Sequence, residues 1–124
     1  MTRYIDLLYV FVGAGLGGAC RHALSCFVSG GAGNFGFGVV SVNYIGCFFA
    51  GLLLFVMQNS GLSRPVTLFF MVGLLGGFTT FSAFGVETIL YLQRSQFILA
   101  LGNILMSLLA LVMVYFGYLF ARFF

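Results

Sequence analysis

The stretch GGFTTFSAFG at positions 76–85 holds the residue types best suited to bind an ion. Adjacent Gly76 and Gly77 weaken a helix, and three hydroxyl side chains follow that can bond to freed backbone groups. A helix break leaves unpaired carbonyls on one side, which suit a cation, and unpaired amides on the other, which suit an anion. The phenylalanines recur every three residues, and their positively polarised ring edges can also face an anion. The pattern therefore favours a solute site over simple phenylalanine packing, the alternative in a chain with 17 phenylalanines.

The composition requires lipid as the solvent for most of the chain. Of its 124 residues, 62% are hydrophobic and 6% are charged, and the mean hydropathy is +1.18. A soluble domain of this length could not hide so much apolar surface. The five arginines are spread singly and give a formal net charge of +3, so they form no patch for nucleic acid.

Turn-forming residues divide the sequence into four apolar runs of at least 21 residues. At about 1.5 Å per residue, each run spans the roughly 30 Å hydrocarbon layer. We therefore predict an all-α membrane protein, a single domain over residues 1–124 with four transmembrane helices. The third helix should be broken near its middle, where the glycines and hydroxyls cluster. The runs cover residues 4–28, 37–57, 66–92 and 97–121.

The arginines give almost no preference for one orientation in the membrane. With four crossings, Arg3, Arg64 and Arg122 lie on one side, and Arg21 and Arg94 lie on the other. Three charges against two are too small a bias for the positive-inside rule to fix an orientation. The chain can therefore insert both ways round, as an antiparallel pair requires, while a single orientation with a weak bias remains open.

The cysteines and the GxGxxG motifs indicate packing. Cys20, Cys26 and Cys47 have no paired spacing and only His22 as a nitrogen ligand, so we expect small buried hydrophobes and no disulfide or metal site. GAGLGG and GAGNFG match a dinucleotide fingerprint, but the strand and soluble sheet that such a site needs cannot be built here. Glycines four residues apart in the first of these stretches instead predict close helix packing.

Several polar residues fall at membrane depth. Asn43 lies about seven residues into the second helix, and Asn103 and Ser107, four apart, share a face of the fourth. They are either interhelical hydrogen bonds or part of a solute path. Arg21 lies toward the end of the first helix and can snorkel or pair with an acid. For Glu87 we expect a buried ion pair or a capped break, with proton-coupled transport as the alternative.

Three motifs resemble those of one known family. GGFTTFSAFGVET resembles the signature of the Fluc (CrcB-type) fluoride ion channel family, usually written GGxTTFSTFSxE. SVNYIG resembles its second-helix motif, and the region of Arg21 resembles its first-helix GxxxR pattern. The third-helix motif is the most specific. With the length, the helix count and the broken helix, the resemblance covers the whole chain.

The resemblance implies a fluoride channel, not an enzyme. Members insert in both orientations and assemble as antiparallel dimers with two narrow pores that export fluoride passively across the inner (plasma) membrane. Asn43 would be the pore asparagine and Ser82 a pore-side hydroxyl. Phe81 and Phe84 would be the pore phenylalanines, whose ring edges face fluoride.

The resemblance also implies a structural sodium ion at the centre of the dimer. The backbone carbonyls of Gly76 and Thr79 from each subunit would hold this ion. A further set of polar residues would support the pore or its surroundings. These are Arg21, Thr80, Glu87, Asn103, Ser107 and Tyr115.

The chain departs from the family pattern at four positions. Ala83 and Gly85 stand where Thr and Ser are usual, and Leu111 and Tyr115 fall where Ser and Thr commonly sit. These changes bear on whether both pores of a homodimer conduct. A homodimer is the first expectation, and an antiparallel heterodimer with a homologous partner subunit is the second.

Two rival functions remain open at this point. A small four-helix exporter of drugs or cations, coupled to protons, would use a carboxylate deep in the membrane. Here Glu87 lies near a helix end, and tryptophan is absent from the chain. A scaffold without transport would use the glycines and phenylalanines for packing alone.

Overall fold

The computed structural model describes residues 2–30 and 35–124, and all its described elements are helices. Residues 31–34, which contain most of the second GxGxxG stretch, lie outside the described part. The third helix of the sequence consists of two pieces, α3 and α4. In chain order the elements are α1 (Thr2–Ser29), α2 (Phe35–Ser60), α3 (residues 64–78), α4 (Ser82–Gln93) and α5 (Phe97–Phe123).

The four predicted membrane crossings are confirmed. Each of four helical spans is long and apolar enough to cross a bilayer, and each extends the predicted run by up to three residues at an end. α3 and α4 together make the third span, so the predicted interruption of the third helix is also confirmed. The spans are Arg3–Ser29, Phe37–Ser60, Arg64–Gln93 and Phe97–Phe123.

The interruption, residues 79–81 and here called the break, lies in the predicted stretch, at the hydroxyl residues that follow the paired glycines. Gly76 is still helical, with φ −62° and ψ −37°. Thr79 is extended, with φ −83° and ψ 156°, and the helix resumes at Ser82. Before the break, Leu68–Leu75 is a π-helix, a wider form that is often found beside functional sites. The glycine pair therefore does not itself interrupt the helix.

Glycine instead lets α1 and α3 meet backbone to backbone. A Cβ atom on Gly77 would lie 2.5 Å from the carbonyl oxygen of Ala14, and one on Gly17 would overlap the carbonyl of Leu74. Gly13 has an equally close neighbour in α3. The prediction that the α1 glycines serve close helix packing is confirmed.

An ion pair joins the starts of the same two helices. The guanidinium of Arg64 donates two hydrogen bonds to one carboxylate oxygen of Asp6, at 2.7 and 3.1 Å. The two residues are 58 positions apart, and no sequence pattern predicted the pair. It holds the first turn of α3 beside the start of α1.

The outer faces of α1 are left uncovered by its neighbours. Cys20 and Cys26 are exposed and Cys47 of α2 is half-buried, and all three are free thiols. The expectation of buried cysteines is therefore wrong for the two on α1. The reason is that α1 buries mainly its small-residue stripe, so its other side chains face outward in the single chain.

The main core lies between α2 and α5. Gly51 meets the backbone of Val114, and Gly117 meets the backbone of Phe48, so a side chain at either glycine would collide with the facing helix. The hydroxyl of Tyr44 donates to the carbonyl oxygen of Met106 at 2.7 Å, across the same contact. Most of the buried apolar side chains belong to these helices: Val39, Val40, Val42, Ala100 and Ala110.

The contacts also fix the directions of the helices. Along α1 and α3, Gly13 meets Phe69 and Gly17 meets Leu74, so the two helices run the same way. α2 is antiparallel to α1. Gly38, near the start of α2, contacts Ser25 and Ser29 at the end of α1, whereas Gly46, further along α2, contacts Phe78, which lies beside Gly17 in the middle of α1. The loop between α2 and α3 therefore lies at the same end of the bundle as the start of α1, as predicted.

Substitution of Gly117 by Ala tests the α2–α5 core. Its methyl group would overlap the Phe48 carbonyl, so we expect a loss of about 1–3 kcal/mol of unfolding free energy. Gly102→Ala is the matched control on the same helix, because nothing lies within 4 Å of its Cβ position. It should be neutral or stabilise by up to about 1 kcal/mol. Chemical denaturation in detergent measures both, and equal stability of the two variants would contradict this packing.

Candidate functional site

The amide side chain of Asn43 holds the break in place. Its Nδ2 donates to the carbonyl oxygen of Thr80 at 2.8 Å, and the backbone N–H of Thr80 donates to its Oδ1 at 2.8 Å. One side chain thus satisfies both backbone groups of the central residue of the break. In hydrocarbon an unpaired peptide group costs several kcal/mol, so this reciprocal pair stabilises the non-helical conformation.

Small residues on α2 bring Asn43 close to the break. A Cβ on Gly46 would overlap the Thr79 methyl group and lie 3.1 Å from the Phe78 ring. Gly46 is one turn along α2 from Asn43 and on the same side of the helix. A larger side chain there would push α2 away from the break and lengthen both Asn43–Thr80 hydrogen bonds.

The hydroxyls of the break bond to backbone groups, as the sequence predicted. Thr79 Oγ1 donates to the carbonyl oxygen of Leu75 at 2.9 Å, at the end of α3. Thr80 Oγ1 accepts from the N–H of Ala83 at 3.3 Å, which is how an N-cap residue satisfies the start of a helix. Thr80 Oγ1 also lies 3.3 Å from Ser82 Oγ. Thr80 therefore caps the start of α4, while Thr79 adds a second hydrogen bond to a Leu75 carbonyl that already accepts from the Thr79 N–H.

Several backbone oxygens near the break are left free. Among the described residues, no group donates a hydrogen bond to the carbonyl oxygen of Gly76 or of Thr79. These oxygens are hard, neutral ligands of the kind that alkali and alkaline-earth cations prefer. Their chemistry therefore suits a hard cation such as sodium, for which these two oxygens would supply part of the coordination.

Phe81 and Phe84 form an aromatic pair beside the break. Their ring centroids are 5.3 Å apart, with an angle of 58° between the ring planes. The Phe81 side chain is 81% exposed. Phe81 is therefore left uncovered by the described chain, whereas Phe84 is half-buried.

Glu87 is buried without any partner. It is 4% exposed, and neither carboxylate oxygen has a hydrogen-bond donor within the described residues. The expected ion pair or cap is therefore wrong for this residue. The start of α4 is capped by Thr80 and not by Glu87. The ion pair found among the described residues joins Arg64 to Asp6 and does not involve Glu87.

One turn beyond Phe84, a buried hydrogen-bond chain ties α4 to α5. Asn103 Nδ2 donates to Thr88 Oγ1 at 3.1 Å, and Thr88 Oγ1 donates to the carbonyl oxygen of Phe84 at 2.9 Å. Asn103 was predicted from the sequence, whereas Thr88 was missed. The available signal was the four-residue spacing between Thr88 and Phe84, which lets a threonine bond back to the preceding turn.

The remaining predicted polar residues do not join the break. Arg21 is half-buried and forms no ion pair within the described residues, and Ser107 is half-buried one turn from Asn103. Tyr115 is 61% exposed. Its neighbour Val114 contacts Gly51, which is eight residues beyond Asn43 on α2. At about 1.5 Å per residue, Tyr115 therefore lies about 12 Å along the bundle from Asn43.

Substitution of Asn43 by Asp tests the reciprocal hydrogen bonds. A carboxylate cannot donate to the Thr80 carbonyl, so we expect a loss of about 1–3 kcal/mol of unfolding free energy. Asn59→Asp is the matched control, because Asn59 donates to the Phe55 carbonyl at the same 2.8 Å on the same helix but is exposed. Denaturation in detergent should show a change below about 0.5 kcal/mol for this control. An equal effect of the two substitutions would contradict a special role for Asn43.

The sequence is similar to curated proteins of known description. A family model described as "CrcB-like protein, Camphor Resistance (CrcB)" matches residues 8–118. "Fluoride-specific ion channel FluC 2" of Listeria innocua serovar 6a is 41% identical over 117 residues, which are 93% of this chain and 89% of that protein. "Fluoride-specific ion channel FluC" of Helicobacter pylori strain G27 is 38% identical over 122 residues, 92% of this chain and 94% of that one.

A third relative agrees with these two. "Fluoride-specific ion channel FluC" of Shewanella sp. strain W3-18-1 is 40% identical over 114 residues, which cover 90% of this chain and 92% of that protein. The residues matched by the family model include all four membrane spans in the greater part of their length. The chain belongs to the CrcB-like family.

Proposed function

We propose that this chain is a fluoride-selective ion channel of the inner (plasma) membrane and exports fluoride passively as an antiparallel dimer. The break, held open at membrane depth by Asn43 and flanked by the Phe81–Phe84 pair, is the observation that carries the proposal. The names of relatives about 40% identical over nine-tenths of the chain support it. The proposed role is transport, without a catalytic residue.

The pore donors follow from the chemistry of fluoride. Fluoride is small and strongly hydrated, so a selective path must replace its water with hydrogen-bond donors at close range. Asn43 uses one amide hydrogen for Thr80 and keeps the second, and Ser82 carries an exposed hydroxyl. The edges of the Phe81 and Phe84 rings supply weaker positive charge. No fixed cation is needed in the pore, where it would slow the exit of the ion.

A second copy completes the site in this proposal. Non-helical backbone at membrane depth survives only where protein or a water-filled cavity covers it. Phe81 and Gly76 are exposed in the single chain, and the carbonyl oxygens of Gly76 and of the half-buried Thr79 have no donor among the described residues. An antiparallel partner would supply its own rings and carbonyls, and the two-fold symmetry would give two equivalent pores. The nearly balanced arginines permit both orientations.

Sodium is proposed as the structural cation of the dimer. The carbonyl oxygens of Gly76 and Thr79 from both subunits would hold it, four oxygens in all. When bound, the ion supplies positive charge that satisfies oxygens facing one another across the dimer axis. Within each chain, the extended Thr79 and its side-chain bond to Leu75 leave the Thr79 carbonyl free of the helical hydrogen-bond pattern.

The homodimer is proposed ahead of a heterodimer. Ala83 and Gly85 lie on α4 beside the aromatic pair, and a side chain at Gly85 would meet no atom within 4 Å in the single chain. That space allows a second copy of the chain to approach α4 closely. We therefore attribute the small residues at these positions to contact between subunits and not to loss of a conducting pore. A homologous partner subunit that restores hydroxyls at these positions is the second candidate.

Proton-coupled export stays the second candidate function because Glu87 is buried and unpartnered among the described residues. A carboxyl in that state is the kind of group that carries protons in transporters. It lies almost two turns beyond the break on α4, between the Phe81–Phe84 pair and the helix end. The two candidates differ in which substitution abolishes transport.

Fluoride efflux from liposomes with sodium present separates the candidates. Phe81→Ile removes the ring edges, so we expect at least about tenfold slower fluoride efflux, equal to about 1.4 kcal/mol of lost interaction. Glu87→Gln should change the rate by less than about threefold. Phe70→Ile is the matched control, since Phe70 also belongs to an aromatic pair of the third helix but lies before the break. A fluoride-selective electrode gives the rates.

The reverse order of severity would favour proton-coupled export. Wild-type efflux no faster than that of empty liposomes would favour a scaffold. Chloride efflux as fast as fluoride efflux would remove the selectivity from the proposal. Each of these outcomes would exclude a different part of the proposed function.

Removal of sodium tests the proposed cation. Protein purified and reconstituted with N-methylglucamine in place of sodium should lose most of its fluoride efflux, and sodium should restore it. The reason is that the free carbonyls of Gly76 and Thr79 would face one another without a cation between them. Unchanged efflux without sodium would contradict the cation site while leaving the pore intact.

A further inference from the structure

The end of α1 opposite the Asp6–Arg64 ion pair carries two metal-ligating side chains. α1 has 28 residues and is about 42 Å long, which exceeds the roughly 30 Å hydrocarbon layer. If Asp6, with its ion pair to Arg64, is taken as one boundary, His22 lies about 24 Å and Cys26 about 30 Å further along the helix. The two side chains then occupy the last turn before the other boundary, within reach of an ion from water.

The donor atoms are already at the spacing that a tetrahedral metal ion requires. His22 Nε2 and Cys26 Sγ are 3.6 Å apart, on adjacent turns of one helix, and both residues are exposed. Zinc binds a histidine nitrogen at about 2.0–2.1 Å and a cysteine sulfur at about 2.3 Å. With a tetrahedral angle between them, those bond lengths place the two donor atoms about 3.6 Å apart.

We propose that His22 and Cys26 form an exchangeable binding site for a borderline-soft divalent cation of the zinc, cobalt or cadmium class. Two ligands four residues apart on a helix are a known way to hold zinc from one face. Hard cations such as calcium and magnesium are excluded, because they require oxygen ligands. Neither the break nor any proposed pore residue takes part, so the site is independent of the proposed function.

The site supplies only part of the coordination. The described residues contain no group of three or more His, Cys, Asp or Glu side chains that could hold a metal ion. Water or solvent anions therefore fill the other two positions, and the ion exchanges with solvent. This distinguishes the site from a structural zinc site, which is closed by four protein ligands.

Metal binding displaces one proton. Without metal, the thiol of Cys26 is within hydrogen-bond distance of the imidazole nitrogen of His22. On binding, the thiol proton leaves to solvent, the thiolate bonds to the metal, and the neutral imidazole nitrogen donates its lone pair. No electron is transferred, and one proton is released for each cation bound.

Cobalt titration of the full-length protein tests the proposal. Co²⁺ added to reduced protein in detergent should give a thiolate-to-cobalt charge-transfer band that saturates at one ion per chain. His22→Asn should weaken binding by at least about tenfold, because even an outer-shell partner is worth about 10–100-fold. Cys26→Ser should abolish the band. Cys20→Ser is the matched control, since Cys20 is exposed on the same helix and the band should remain.

A second measurement needs no substitution. Zn²⁺ should slow the alkylation of Cys26 in the wild type by at least about tenfold and leave Cys20 unaffected, as peptide mapping after a maleimide pulse would show. Mg²⁺ should protect neither thiol. A cobalt band that survives in His22→Asn with unchanged affinity, or equal zinc protection of Cys20 and Cys26, would overturn the site. Either result would leave fluoride transport untouched.

Discussion

The hydrogen-bonding requirement of a peptide group in lipid is the constraint on which the rest of this structure depends. A transmembrane helix satisfies its backbone N–H and C=O groups internally. In the third span, this helical hydrogen bonding is interrupted over three residues. Asn43 replaces the lost helical bonds of Thr80 with two side-chain bonds, and Thr80 caps the start of α4. What remains free is a small set of carbonyls and one amide hydrogen. Those free groups are what an ion site needs.

The bundle is organised as two tight helix pairs with the break between them. α1 and α3 meet through glycines and are tied by the Asp6–Arg64 ion pair, while α2 and α5 meet through Gly51 and Gly117. Because both pairs approach backbone to backbone, neither can slide without collision. α4 leaves the first pair after the break and joins the second through Thr88 and Asn103. The break is therefore positioned by packing on both sides.

The sequence was enough to predict the helices and the existence of the break. Apolar runs long enough to span lipid admit few alternatives, and hydroxyls beside glycines at membrane depth mark an interruption. The break lies within the predicted stretch, at its hydroxyl residues; the separate role of Gly77, close contact with Ala14, is one that no local pattern reveals. Pairs distant in sequence, Asp6–Arg64 and Thr88–Asn103, depend on the relative placement of helices. For the same reason the lack of a partner for Glu87 among the described residues could not be predicted.

The direct contact between Asn43 and the backbone of Thr80 is the central claim, and solid-state NMR of labelled protein in lipid can measure it. With ¹⁵N in asparagine side chains and ¹³C in threonine carbonyls, the 2.8 Å hydrogen bond places Asn43 Nδ2 within about 4 Å of the Thr80 carbonyl carbon, so a through-space transfer between these two nuclei should be detected. The carbon shifts of Thr79 should also be those of extended backbone. Helical shifts running unbroken through Thr79, Thr80 and Phe81, without that transfer, would contradict the claim.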